Sequence, residues 1–157
     1  MQTAAFAGYL PGLPDPDTNA EFYEGVPSRR LAAWGVDFAI TLAIALPIGL
    51  IFGIVTLGFG FAAFPLIMAA TSLIYRTSTI ASRSATWGMR FMGIELRRHD
   101  GSRFDAITAF LHTLGYIVAM TVFVIQVVSC VTILTTRYRQ SVPDLFLRTA
   151  MINRPAD

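Results

Sequence analysis

Between Leu31 and Tyr75 a single side chain, Asp37, can carry charge near neutral pH, and between Ile107 and Thr136 only His112 can. The core of a soluble domain does not need runs of this kind, whereas about 18 or more apolar residues is the length a bilayer demands of a helix. A chain built this way folds in or against a membrane. Of its 157 residues 54% are hydrophobic and 14% charged, opposite departures from a soluble composition, and the length leaves room for one domain.

The run from Leu31 to Tyr75 is too long for one helix across about 30 Å of hydrocarbon, and Gly53, Gly58 and Gly60 interrupt its middle. It therefore reads as a helical hairpin, with spans at 31–53 and 57–75 and Trp34 and Tyr75 at interfacial depth. The last apolar run, 107–136, would measure about 45 Å as one straight helix, more than the hydrocarbon thickness, so it must bend, re-enter or split. The segment between these runs carries Arg76, Arg83, Arg90, Arg97, Arg98 and Arg103, which by the positive-inside rule places it in the cytoplasm together with the amino terminus. A single crossing at 107–136 would leave Arg137, Arg139, Arg148 and Arg154 outside, so a returning segment is favoured. Met92 to Arg97 alternates apolar and polar residues ahead of turn chemistry at His99 to Ser102, the pattern of a short strand.

The expected fold class is thus an all-α integral membrane protein: an N-terminal two-span helical hairpin, a long third apolar segment and a small cytoplasmic interfacial strand pair. Residues 1–28 hold four prolines, four acids and no base, without apolar periodicity, and read as a disordered tail. The membrane domain is expected over 29–153, with 154–157 as a C-terminal tail. The arginines flank apolar runs instead of forming a soluble basic face with interleaved aromatics, so the bilayer is the expected partner and nucleic acid is not. Cys130 is the only cysteine, which excludes an intrachain disulfide and a thiolate metal cluster.

Asp37 draws attention first, because a carboxyl in a membrane helix costs about 2.5 to 3.5 kcal/mol on insertion scales unless it is paired, hydrated or neutral. Arg30 stands two helical turns earlier on the same face, about 10 Å away along the backbone. His112 shares a helical face with Thr108 and Tyr116 and belongs either to a polar track or to a structural hydrogen bond. No nucleophile beside a base, no paired-glycine loop and no metal-ligand spacing occurs, so neither enzyme, cofactor nor metal is expected.

The stretch Arg29-Arg30-Leu31-Ala32-Ala33-Trp34-Gly35-Val36-Asp37 resembles the opening signature of the RDD family of bacterial membrane proteins, named for one arginine and two aspartates. Thr86-Trp87-Gly88-Met89-Arg90, leading to Gly93 and a short apolar strand, is similar to that family's Thr-Pro-Gly-Lys-Arg run, from which Trp87 and Met89 depart. Arg139-Gln140-Ser141-Val142-Pro143-Asp144 resembles its Gln-x-x-His-Asp motif, with Pro143 where His is usual. The resemblance implies a polar site on Arg30, Asp37 and Asp144, with Arg90 and Gln140 secondary, in a multi-pass protein of the bacterial inner membrane; His112 is a further secondary candidate from its place in the last apolar run. It further implies that Leu147 to Ile152 forms a strand able to pair with the one around Ile94. Transport of an unidentified ligand, or cation/proton exchange, is what the family resemblance suggests. Two functions follow: transport of an ion or small solute through that site, by an oligomer on the count of spans, or a non-catalytic membrane module that binds or assembles partner proteins, with Asp37 and Arg30 as structural locks.

Overall fold

The computed structural model describes residues 9–154. Helix α1 (Val26–Val55) and helix α2 (Phe64–Arg83) form the hairpin, joined through a 3-10 turn at Phe59–Ala63. Each is long and apolar enough to cross a membrane. The turn depends on Gly58, whose φ of 97° lies in the left-handed region and whose N–H donates to the Gly53 carbonyl at 2.7 Å. Helix α2 runs eight residues beyond the expected end at Tyr75, because Arg76 is buried against a carboxylate instead of marking the water boundary.

Within α1 the buried positions are Val26, Ala33, Asp37, Thr41, Ala45, Gly49 and Gly53, a seam of mostly small residues spaced by about one turn from Ala33 onward. Small side chains let helices approach where no hydrophobic drive separates protein from lipid. The remaining faces carry Ile51, Ile54 and Val55, more than 60% exposed, as a lipid-facing surface requires.

Helices α3 (Trp87–Phe91), α4 (Ala106–Thr121), α5 (Phe123–Thr135) and α6 (Val142–Leu147) complete the helical part. The third apolar segment is α4 and α5, bent by 116° at Val122. At 16 and 13 residues these helices measure about 24 and 20 Å, each shorter than the hydrocarbon core. Strands β1 (Ile94–Arg98) and β2 (Thr149–Asn153) lie on either side of them in the chain and pair antiparallel, with Ile94 opposite Asn153 and Ala150 opposite Arg97. Entry to and exit from the bent segment are therefore at one end of the molecule. Cysteines placed at 100 and 148 in a Cys130→Ser background should react with an impermeant reagent from the same side of sealed vesicles. Labelling from opposite sides would mean that the segment crosses once.

The N-terminal stretch corrects an expectation. Residues 1–8 lie outside the described residues, but 9–25 are packed as a strap instead of forming the disordered tail expected over 1–28. Leu96 and Met151 occupy one face of the two-stranded sheet with Ile94, in a core with Val26, Ile80 and Phe104. Ala150 and Ile152 occupy the other, and Leu10, Leu13 and Tyr23 cover them together with Tyr138. Those few apolar side chains fall where the sheet needs a cover. The Gly12 N–H donates to the His99 carbonyl at 2.8 Å, and Asn153 donates to the Glu21 and Glu24 carbonyls at 2.7 and 2.9 Å. Asp15 and Asp17, two of the acids that made the segment read as a tail, pair with Arg137.

Candidate functional site: two buried carboxylate clamps beside a cavity

Asp37 on α1 is fully buried and every one of its partners is a donor. Its Oδ1 accepts from the Tyr75 hydroxyl at 2.8 Å and the Gly88 N–H at 3.0 Å, and its Oδ2 accepts from the Thr86 hydroxyl at 2.7 Å. The Arg76 guanidinium stands 3.4 Å from Oδ2. The two hydroxyls are themselves committed: Tyr75 accepts the Trp87 N–H at 3.2 Å, and Thr86 caps α3 by accepting the Met89 N–H at 3.2 Å. One carboxylate thereby joins α1, the end of α2 and the start of α3. Only glycine fits at 88, because a Cβ there would lie 2.3 Å from the Ala33 carbonyl oxygen and 2.8 Å from Asp37 Oδ1.

Asp144, also fully buried, forms the second clamp. Its Oδ2 accepts from Arg30 at 2.6 Å, from the Ser141 N–H at 3.0 Å and from the Ser141 hydroxyl at 2.7 Å. Its Oδ1 meets His112 Nε2 at 2.9 Å and accepts from the Thr149 hydroxyl at 3.1 Å. Helices α1, α4 and α6 and strand β2 meet on this group. Burial pushes the Asp144 carboxyl up, but the Arg30 guanidinium, His112 and the Ser141 N–H outweigh it and hold the group well below the usual carboxylate range.

The sequence placed Arg30 above Asp37 on one helix face; in the fold the arginine reaches Asp144 instead, and Asp37 takes Arg76. Gln140 touches neither carboxylate. Its amide donates to the Thr149 carbonyl at 2.6 Å and its N–H to the Thr136 hydroxyl at 2.8 Å, which fixes the turn between α5 and β2. Arg90 stands apart as well, its guanidinium 4.5 Å from the Trp87 ring centroid. Tyr75, Arg76, Thr86, Gly88, Ser141 and Thr149 complete the clamps and lie beyond the site residues that the sequence points to. A signal for Arg76 was present, since residues 37 and 76 lie symmetrically about the turn at Thr56 to Gly58 and an antiparallel hairpin sets them at equal height.

A cavity of about 400 Å³ lies between the clamps, lined by parts of α1, α2, α4 and α5. Trp34, Ile80, Met120 and Ile133 contribute apolar wall, and Arg30, Asp37, Arg76 and His112 reach its lining. Arg76 lies 4.3 Å above the Tyr116 ring, whose hydroxyl accepts from the Trp34 indole N–H at 2.9 Å. Two residues of the lining bury a polar atom that has no hydrogen-bond partner among the described residues, Arg30 at Nε and Thr113 at Oγ1.

The sequence model of the RDD family matches residues 25–148, most of the chain and all the segments that build both clamps except the last strand. The chain belongs to the RDD family. No curated protein and no solved structure matches it. Two of the three departures from the RDD pattern, Trp87 and Pro143, have local consequences. Trp87 replaces a proline, and its N–H makes the bond to Tyr75 that proline lacks the hydrogen to make. Pro143 replaces the histidine before the second aspartate, yet an imidazole still sits on Asp144, supplied by His112 of α4.

Proposed function

We propose that this RDD protein is a non-catalytic membrane protein that binds and translocates a small solute or ion at the cavity between the clamps, as a multi-pass protein of the bacterial inner membrane with its amino terminus in the cytoplasm. The observation that carries this reading is the cavity itself, within the ~300 to 1,000 Å³ of small-molecule sites and bordered by both ion pairs. The carboxylate oxygens are saturated, so the groups left unspent are donors, Arg30 Nε and the Thr113 hydroxyl. That favours a solute carrying acceptor oxygens over a bare cation. Saturation also gives the second reading its support: carboxylates spent on locks are what a module for binding or assembling partner proteins needs, with no pathway through it.

Currents from proteoliposomes on a solid support, challenged with pH jumps and with sodium, potassium and acetate gradients, separate the two. Ile133→Trp fills the cavity from a half-buried wall position and leaves both clamps intact. Solute-dependent current in wild type should fall at least about tenfold in this variant, as loss of a whole site requires. Equal currents in both would remove the cavity from the mechanism, and none in either would favour the partner-assembly reading.

A further inference from the structure

Away from the clamps, four arginines from distant parts of the chain converge on a second cavity of about 190 Å³. Arg83 ends α2, Arg90 lies in α3, Arg103 precedes α4 and Arg154 follows β2. None of the four makes a salt bridge among the described residues. The single carboxylate of the lining, Glu95, is buried and already engaged by Arg97. Among the described residues the cavity therefore holds uncompensated positive charge.

Backbone bonds fix this convergence. Ser84, the residue after Arg83, accepts the Leu96 N–H on its carbonyl at 2.8 Å and the Phe104 N–H on its hydroxyl at 2.7 Å. Those bonds hold the residues next to Arg83 and Arg103 against β1. The Arg154 N–H donates to the Gly93 carbonyl at 2.8 Å, which brings the end of β2 to the start of β1 and to α3. The positive-inside rule explains arginines near helix ends but does not require four of them to share one pocket. Like charges brought together at a fixed site cost energy until an anion joins them, and planar guanidinium groups match the oxygens of a phosphate.

We propose that Arg83, Arg90, Arg103 and Arg154 form a binding site for a phosphate group, at the end of α2 where a lipid headgroup or a soluble phosphate can reach it. The full chain in phosphatidylcholine nanodiscs tests this in two arms. One titrates phosphatidylglycerol into the disc and reads its enrichment beside the protein by spin-label lipid selectivity; the other titrates inorganic phosphate and pyrophosphate from solution by calorimetry. The exposed pair Arg83→Gln with Arg103→Gln should weaken binding by about tenfold or more in whichever arm is positive, since two of the four guanidinium groups available to the phosphate oxygens are lost. Arg148→Gln, an exposed arginine at the opposite end of β2 from Arg154, is screened from the cavity and should change it less than about twofold. Binding in the lipid arm alone assigns the site to a headgroup, and binding in the solution arm assigns it to a soluble phosphate. The proposal is overturned by no binding in either arm, or by Arg148→Gln weakening binding as much as the cavity pair does.

Discussion

Asp37→Asn should destabilise the protein by about 3 to 5 kcal/mol, although the two side chains have nearly the same shape. The reason lies in where the hydrogens are. The Tyr75 and Thr86 hydroxyls already accept N–H groups from α3, so each points its own hydrogen at Asp37. An amide must put its NH₂ somewhere among these donors. Turned one way it meets the Gly88 N–H, and turned the other way it meets Arg76, and neither can reverse its role. Arg76, 7% exposed, also loses its counter-charge. From the sequence alone an amide at this position looks tolerable, because shape and hydrogen-bonding capacity are preserved. The surrounding donors reverse that expectation. Denaturant unfolding in detergent micelles checks it, and stability within about 1 kcal/mol of wild type would mean that the donors can rearrange.

Asp144→Asn should also cost several kcal/mol at neutral pH, and its effect should fade in acid. Here an amide finds a tolerable orientation, since His112 can switch tautomer and the Thr149 hydroxyl can rotate, but Arg30 is left beside a neutral group. The carboxyl is held below its unfolded value of about 3.9, so its contribution is present above that pH and is lost as the pH falls through the lower folded value. Wild type should therefore lose stability relative to the variant as the pH falls below about 4, and the two curves should converge. A constant gap between them down to acid pH would show that Asp144 is not the ionised partner of Arg30.

Much of the fold could be read from one sequence, for physical reasons that differ by element. Length and apolarity give the hairpin directly, because hydrocarbon thickness leaves few alternatives. The bend at Val122 was foreshadowed by an excess of length and by arginines on both sides of α4 and α5, although the sequence has no proline or glycine at the bend to mark it. The strap is not legible in the sequence because its cover depends on three side chains, Leu10, Leu13 and Tyr23, whose target is assembled only when β2 and Tyr138 come together. The site was legible as residues and illegible as pairs. Arg30, Asp37 and Asp144 are conspicuous as charged groups in or beside apolar runs, but which cation meets which anion depends on how five helices and a strand arrange around two points. The N–H groups of Gly88 and Ser141 carry no side-chain signal as donors.

Arg30, Asp37, Arg76 and Asp144 are spent on two separate clamps with the cavity between them. The coupling between Arg30→Gln and Asp144→Asn in a double-mutant cycle of unfolding free energies tests this arrangement most directly. The double variant should be less destabilised than the summed single changes by about 1.5 to 3 kcal/mol, since removing either partner strands the other. Additive effects within about 0.5 kcal/mol would contradict the pairing and the division of the site that rests on it.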